Sequence, residues 1–184
     1  KKNRITQDKN FKGNLGHIIE ESLFGYNINS DSRPDFEEIG VELKVTPFKL
    51  NKKGDYSAKE RLVLNMIDYF KDADVNFEDS TFWNKNSSLL IMFYLHEFDK
   101  FKKDFKINET ILFEYPEKDL IQIKKDFNII QKKIKVGLAH KLSESDTGYL
   151  GACTKGKNSN SVTNQPYSNI MAKTRAYSLK SSYM

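Results

Sequence analysis

The run Ser88-Leu89-Leu90-Ile91-Met92-Phe93-Tyr94-Leu95 limits the fold of this chain more than any other stretch. Beyond Ser88 every side chain in it is apolar or aromatic, so a strand built from it has no face to turn to water. Such a strand is stable only where both faces are covered, which makes it a buried central strand. It is far shorter than the roughly 18 residues of a membrane span, and no other apolar run approaches that length. From Pro116 to Val136, Leu120, Ile123, Phe127, Ile130 and Ile134 recur at steps of three or four, the period of a long amphipathic helix that Gly137 ends.

The remaining elements are shorter. Ile18, Ile19, Leu23 and Phe24 fall at helical spacing between Gly16 and Phe24, with Gly25 as the stop. A polar loop over 27–34 follows, and Ile39 to Pro47 then alternates apolar and polar residues as a half-buried strand does. Lys52-Lys53-Gly54-Asp55 reads as a hairpin turn leading to a strand or helix around Arg61 to Tyr69. Ile107 to Tyr115 is a further strand, residues 1–11 form a polar approach segment, and the part after His140 holds short strands or loops. Strands mixed with a long helix indicate an α/β domain.

Composition sets the class. A chain of 184 residues with 38% hydrophobic residues, thirteen Phe and nine Tyr can build one folded domain. The polar N-terminus lacks the apolar core of a signal peptide, and the expected setting is the cytoplasm. Cys153 is the single cysteine, which excludes an internal disulfide and a zinc-type cluster and leaves it a packing residue. The three histidines, His17, His96 and His140, are scattered and support no zinc site; His17 and His96 read as packing or surface residues. A net charge of +5 favours a polyanionic partner through counterion release. The absent initial Met and the abrupt Ser181-Ser182-Tyr183-Met184 end suggest a piece of a longer protein.

Chemistry concentrates between Pro34 and Lys44. On a strand, residues i and i+2 share a face, so Glu42 and Lys44 project together while Val41, Leu43 and Val45 face the core behind them. Asp35 lies in the loop before the strand, its approach stiffened by Pro34. Two carboxylates converging at one strand suit a hard divalent cation such as Mg²⁺, which prefers oxygen ligands. Such an ion lowers the pKa of a bound water and neutralises a scissile phosphate. A lysine beside it can orient or deprotonate the attacking water.

The Pro-Asp…Glu-x-Lys pattern is that of a large nuclease superfamily, and its surroundings are more specific. Lys12-Gly13-Asn14-Leu15-Gly16-His17-Ile18-Ile19-Glu20, then Asp35, six intervening residues and Glu42 within Gly40-Val41-Glu42-Leu43-Lys44-Val45-Thr46-Pro47, resembles the MutH family. That family has two branches, the mismatch-repair nicking endonuclease and the Sau-three-A-I type of restriction endonuclease. Ala58 to Leu64, Trp83-Asn84-Lys85, Ala139 to Glu144, Tyr149 to Gly156, Asn164 to Ser168 and Ala172 to Lys180 resemble the restriction branch, so the likeness runs over roughly residues 12 to 184.

The resemblance implies a restriction-endonuclease-like α/β fold, a mixed central sheet flanked by helices, over residues 1–184. It implies that Asp35 and Glu42 bind Mg²⁺, that Lys44 serves catalysis, that Glu20 rather than Glu21 supports the metal, and that Lys85 contacts the phosphate. It implies that Lys155, with Thr154 and Gly156, reads bases, and that Tyr177, Ser178 and Lys180 form a second DNA-contacting element. The repair branch carries a base-contacting tyrosine where this chain has Ser178. The implied function is a type II restriction endonuclease that cleaves double-stranded DNA at GATC sites and leaves 5′-phosphate ends. A strand-nicking repair endonuclease and a non-catalytic DNA-recognition module are the alternatives, the intact Glu20, Asp35, Glu42 and Lys44 speaking against the last. Cutting both strands of a palindrome implies a dimer on DNA, a second MutH-like domain in a longer chain, or successive nicks.

Overall fold

The computed structural model describes residues 15–25, 33–97, 105–158 and 160–184. The approach segment 1–11, the Lys12-Gly13-Asn14 part of the first motif and residues 27–32 of the polar loop lie outside them.

Twelve helices and strands carry the described fold. In chain order they are α1 (Leu15–Ser22), β1 (Glu42–Leu50), β2 (Tyr56–Ala58), β3 (Leu62–Met66), α2 (Thr81–Asn86), β4 (Ser88–Leu95), β5 (Ile107–Glu114), α3 (Glu117–Lys135), β6 (Leu150–Thr154), β7 (Val162–Gln165), β8 (Ser168–Lys173) and β9 (Arg175–Leu179). Four strands form a mixed sheet in the order β2-β1-β4-β5, three form an antiparallel sheet in the order β3-β9-β6, and β7 pairs with β8 as a hairpin. The apolar octet is β4, and it lies inside its sheet, parallel to β1 and antiparallel to β5. Around Arg61 to Tyr69 the open choice between strand and helix resolves as the strand β3.

Both faces of β4 are covered, as its composition demands. On one side Met92, with Leu90 and Tyr94, meets Leu15 and Ile19 of α1 and Leu43 of β1 in a small cluster. On the other side Leu89 and Ile91 join the main core, which takes in Phe82 of α2, the α3 stripe and residues of all three strands of the second sheet. The α3 stripe is Ile123, Phe127, Ile130 and Ile134, each essentially fully buried. Burying such side chains stabilises the fold by about 1.5–3 kcal/mol apiece before chain entropy is subtracted. The polar side of α3 faces outward, and the helix stops before Gly137 as its sequence requires.

One buried carboxylate holds α3 to the second sheet. Asp126 is fully buried and accepts the backbone N–H groups of Gly148 (2.9 Å), Tyr149 (2.6 Å) and Leu150 (2.9 Å), with Gln122 Nε2 at 2.7 Å. These donors close the turn that starts β6, and charge-assisted bonds of this kind offset the cost of taking the anion out of water. Replacing Asp126 with Ala should lower unfolding stability by about 3 kcal/mol in urea titrations, because it strands backbone donors without acceptors. Asp126→Asn, which keeps one carbonyl oxygen, should cost less; equal losses would show that the charge matters more than the acceptors.

Candidate active site

The spacing between Asp35 and Glu42 is the length of one closed loop. Phe36 and Val41 form an isolated antiparallel bridge, with Phe36 N–H donating to Val41 O (2.9 Å) and Val41 N–H donating to Phe36 O (3.2 Å). Between them Glu37–Ile39 make one 3₁₀ turn, which Gly40 ends in the left-handed region at φ 66°. A side chain at Gly40 would be strained there. The bridge returns the chain on itself, so Asp35 lands beside the residue that opens β1. Asp35 N–H donates to Glu42 Oε2 (3.1 Å), and Leu43 N–H donates to Asp35 Oδ2 (3.0 Å).

Two ammonium groups meet the same carboxylate. Lys44 Nζ lies 2.6 Å from Glu42 Oε1, and Lys85 Nζ lies 3.6 Å from Glu42 Oε2. Lys44 comes from the same face of β1, as alternation requires, and Lys85 comes from the last turn of α2. Although Glu42 lies on the polar face of the alternating strand, it is only 3% exposed. The reason is tertiary. Glu42 pairs in register with the buried Leu89, and so sits at the rim of the main core rather than on an open sheet face.

Glu20 is half-buried on α1 while Glu21 is exposed, so the helix turns Glu20 inward. Burial raises the Glu20 carboxyl above its ordinary value, and the charge of Asp35 raises it further; the nearby His17, Lys44 and Lys85 act the other way. Glu20 therefore feels the same cluster, although no three acidic, His or Cys side chains among the described residues converge closely enough to form a ready ligand set. The donors that Asp35 and Glu42 offer are carboxylate oxygens, and Lys44 and Lys85 oppose the upward shift that burial gives Glu42. That donor chemistry fits a hard divalent cation that keeps several waters and accepts further oxygens from a phosphate.

The far end of the second sheet carries the other expected residues. Thr154, Lys155 and Gly156 are exposed where β6 runs out, and Lys155 N–H donates to Thr174 O (2.9 Å), which fixes the backbone and leaves the side chain outside. A Cβ at position 156 would stand 2.4 Å from Ser161 Cβ, so only glycine lets the chain turn back here. Tyr177, Ser178 and Lys180, expected as a second DNA-contacting element, lie in different surroundings. Tyr177 and Ser178 are fully buried in the middle strand of the second sheet, and Tyr177 OH donates to Asp72 Oδ2 (3.2 Å). Lys180 Nζ donates to the carbonyl oxygens of Glu144 (2.6 Å) and Thr147. In this conformation Tyr177 and Ser178 offer no contact surface, while Lys180 is half-buried with its ammonium turned to backbone carbonyls.

Sequence reasoning missed the residues that place α2: Asp72, Thr81, Asn65 and Asn86. Asp72 accepts Thr81 N–H (2.9 Å) and Thr81 Oγ1–H (2.7 Å), and Asn86 Nδ2 donates to Asn65 Oδ1 (2.9 Å). Nothing local marks Asp72, which lies in a polar stretch with Asp68 and Asp74 and reads as a surface turn. The only available signal was Ser80 ahead of the helix, and it does cap α2 by accepting Trp83 N–H at 3.1 Å.

A mixed sheet flanked by helices, with two carboxylates and two lysines at the start of an inner strand, defines a restriction-endonuclease-like domain. Residues 24–126 match the family described as DNA mismatch repair enzyme MutH, and the chain belongs to that family. It is 49% identical over 178 residues to the type II restriction enzyme Sau3AI of Staphylococcus aureus, covering 96% of this chain and 36% of that protein. It is 28% identical to the DNA mismatch repair protein MutH of Shewanella woodyi and 24% identical to that of Pasteurella multocida, over 84% of this chain and 65% and 68% of theirs. The chain thus spans about a third of the restriction enzyme's length and about two thirds of the repair proteins'.

The burial of Glu42 has a measurable pH signature. Burial raises its carboxyl above the ordinary 4.5, and Asp35 adds to the shift, against the opposing pull of Lys44 and Lys85. Between 4.5 and the raised folded value the native protein holds a proton that the unfolded chain has released, so stability falls as pH rises through that interval. In chelator-treated protein, Glu42→Gln should therefore melt at a higher temperature than wild type at pH 8, with the gain shrinking toward pH 4. A lower melting temperature at pH 8 would mean that the lysine pairs outweigh burial.

Proposed function

We propose that this chain is the catalytic domain of a Mg²⁺-dependent, site-specific deoxyribonuclease of the type II restriction kind, which hydrolyses DNA at GATC sites and leaves 5′-phosphate ends. The observation that carries the reading is the convergence of Lys44 and Lys85 on the Glu42 carboxylate, beside Asp35, at the start of β1. The 49% identity to a type II restriction enzyme over nearly the whole chain supports the restriction branch, and the net charge of +5 favours a polyanionic partner such as DNA. The repair-protein relatives favour the second reading, a strand-nicking endonuclease with the same chemistry.

Asp35 and Glu42 would hold the cation, with Glu20 supporting them from α1. When bound, Mg²⁺ neutralises the scissile phosphate and lowers the pKa of a bound water. Lys44, anchored on Glu42 Oε1, stands where an amine can hold the attacking water and manage its proton. Lys85 adds positive charge for the phosphate oxygens as negative charge builds on them. The water oxygen bonds to phosphorus opposite the 3′ oxygen, the P–O3′ bond breaks, the 3′ oxygen takes up a proton, and the phosphate stays on the 5′ side.

Lys155, exposed with Thr154 and Gly156 at the end of β6, supplies a donor suited to guanine acceptors in the major groove. A palindromic site has a twofold axis, so cutting both strands calls for a dimer on DNA, a second MutH-like domain in a longer chain, or two successive nicks. An enzyme of this kind works in the cytoplasm, where the DNA is. No described helix is long and apolar enough to cross a membrane.

Asp35→Ala and Glu42→Ala should abolish cleavage of a GATC-bearing plasmid in MgCl₂ while binding of the same DNA in CaCl₂ stays within a few-fold of wild type. Normal cutting by either variant would sink the assignment, and binding without cleavage by wild type under every condition would favour a non-catalytic recognition module. Sequencing the product ends, and asking whether linear or nicked plasmid accumulates, separates the restriction and nicking readings. Lys155→Ala should weaken GATC binding by about 10- to 100-fold, the worth of one base contact, with a smaller change on unrelated DNA.

A further inference from the structure

Asp72 is a fully buried carboxylate that the proposed chemistry does not use. Its Oδ1 accepts the backbone N–H of Thr81, the first residue of α2, and its Oδ2 accepts the hydroxyls of Thr81 and of Tyr177 on β9. The Tyr177 ring in turn packs on Phe82 of α2, with centroids 5.4 Å apart. Thr81 Oγ1 also accepts from Asn65 Nδ2 on β3 (3.2 Å), and Asn65 Oδ1 accepts from Asn86 at the other end of α2. The last turn of this six-residue helix carries Lys85, whose ammonium stands 3.6 Å from Glu42 Oε2.

A helix of six residues has no stability of its own, because the cost of nucleation exceeds the gain from its few hydrogen bonds. The position of α2, and hence of Lys85, is therefore set by what grips its ends and its buried face. Asp72 supplies the grip at the N-terminal end: its two oxygens tie the Thr81 backbone N–H of α2 to the Tyr177 hydroxyl of the second sheet. Burial raises the Asp72 carboxyl above its ordinary value, and the donors from Thr81 and Tyr177 act the other way.

We propose that Asp72 is a positioning residue for Lys85: it clamps the start of α2 to Tyr177 on β9 and so fixes where the Lys85 ammonium stands at Glu42. The same clamp links the sheet whose β6 leads into Lys155 to the lysine beside the two carboxylates. The inference rests on the proposed role of Lys85 in phosphodiester cleavage.

The test compares Asp72→Asn, Lys85→Ala and the double variant in the intact protein. It measures single-turnover cleavage of GATC DNA in MgCl₂ at saturating protein, and binding of the same DNA in CaCl₂. Asp72→Asn should slow cleavage by roughly 10- to 100-fold, as displacement of a catalytic group by about an ångström does, while DNA affinity changes less than about 3-fold. The double variant should be no slower than Lys85→Ala alone, because both changes remove the same contribution. A merely structural role for Asp72 would slow the Lys85→Ala background further, and that result would overturn the proposal. So would wild-type cleavage by Asp72→Asn beside a slow Lys85→Ala, with the function of the site left standing. Wild-type cleavage by Lys85→Ala would instead remove the assigned role of Lys85 and the proposal with it. If Asp72→Asn fails to fold, Thr81→Val and Tyr177→Phe each remove one hydroxyl donor to the same carboxylate and are held to the same criteria.

Discussion

The Glu42 carboxylate, taken out of water at the start of β1, is the constraint around which the described structure is arranged. An isolated carboxylate in that place would cost several kcal/mol or would stay protonated. Here Lys44 sits against one oxygen, while Lys85 and the Asp35 N–H address the other. Each of these partners comes from a different piece of backbone: the same strand, a short helix, and a closed loop. The charge balance at Glu42 thus determines where three elements must end.

Those elements are held by ordinary packing. The parallel pairing of β1 with β4 sets Glu42 opposite Leu89 and Lys44 opposite Ile91, so the polar end of one strand lies on the apolar interior of the next. Leu43 and Met92 on the reverse face meet α1, which carries Glu20 toward the cluster. The main core then fixes the second sheet against the first through Phe82, Phe127 and Tyr177, whose rings lie 5.4 Å (Phe82–Tyr177) and 6.0 Å (Phe127–Tyr177) apart. Rigid packing of this kind suits a site that must hold charged groups close together without solvent to screen them.

Buried charge recurs beyond the site, always tied to backbone. Asp126 gathers three N–H groups ahead of β6. Arg175 is nearly buried and donates to Ala152 O (2.5 Å) and Leu142 O, which pins β9 to β6 and to the turn before them. Both charges stabilise segments that lack enough regular structure to satisfy their own backbone groups. The exposed loop at Lys155 therefore follows a strand anchored by Asp126 at its start and by Arg175 along its length.

The elements with strong periodicity were legible in the residues: β4 from its unbroken apolar run, α3 from its three- and four-residue spacing, and the β1 alternation that puts Glu42 and Lys44 on one face. Glu20 was singled out over Glu21 only by the motif spacing of the resemblance, and α1 leaves Glu20 half-buried and Glu21 exposed. The burial of Glu42, Tyr177 and Ser178 was not legible, because alternation tells which residues share a face and not what covers that face. Asp72 was invisible for a related reason: its donors lie nine and 105 positions away, and no local pattern announces them. The sequence by itself determined which side chains could do chemistry and which strand and helix would carry them. Tertiary structure alone decided that two lysines from separate elements meet one carboxylate, and that one expected contact strand is a core strand, because burial and long-range hydrogen bonds depend on which surfaces the folded chain brings together.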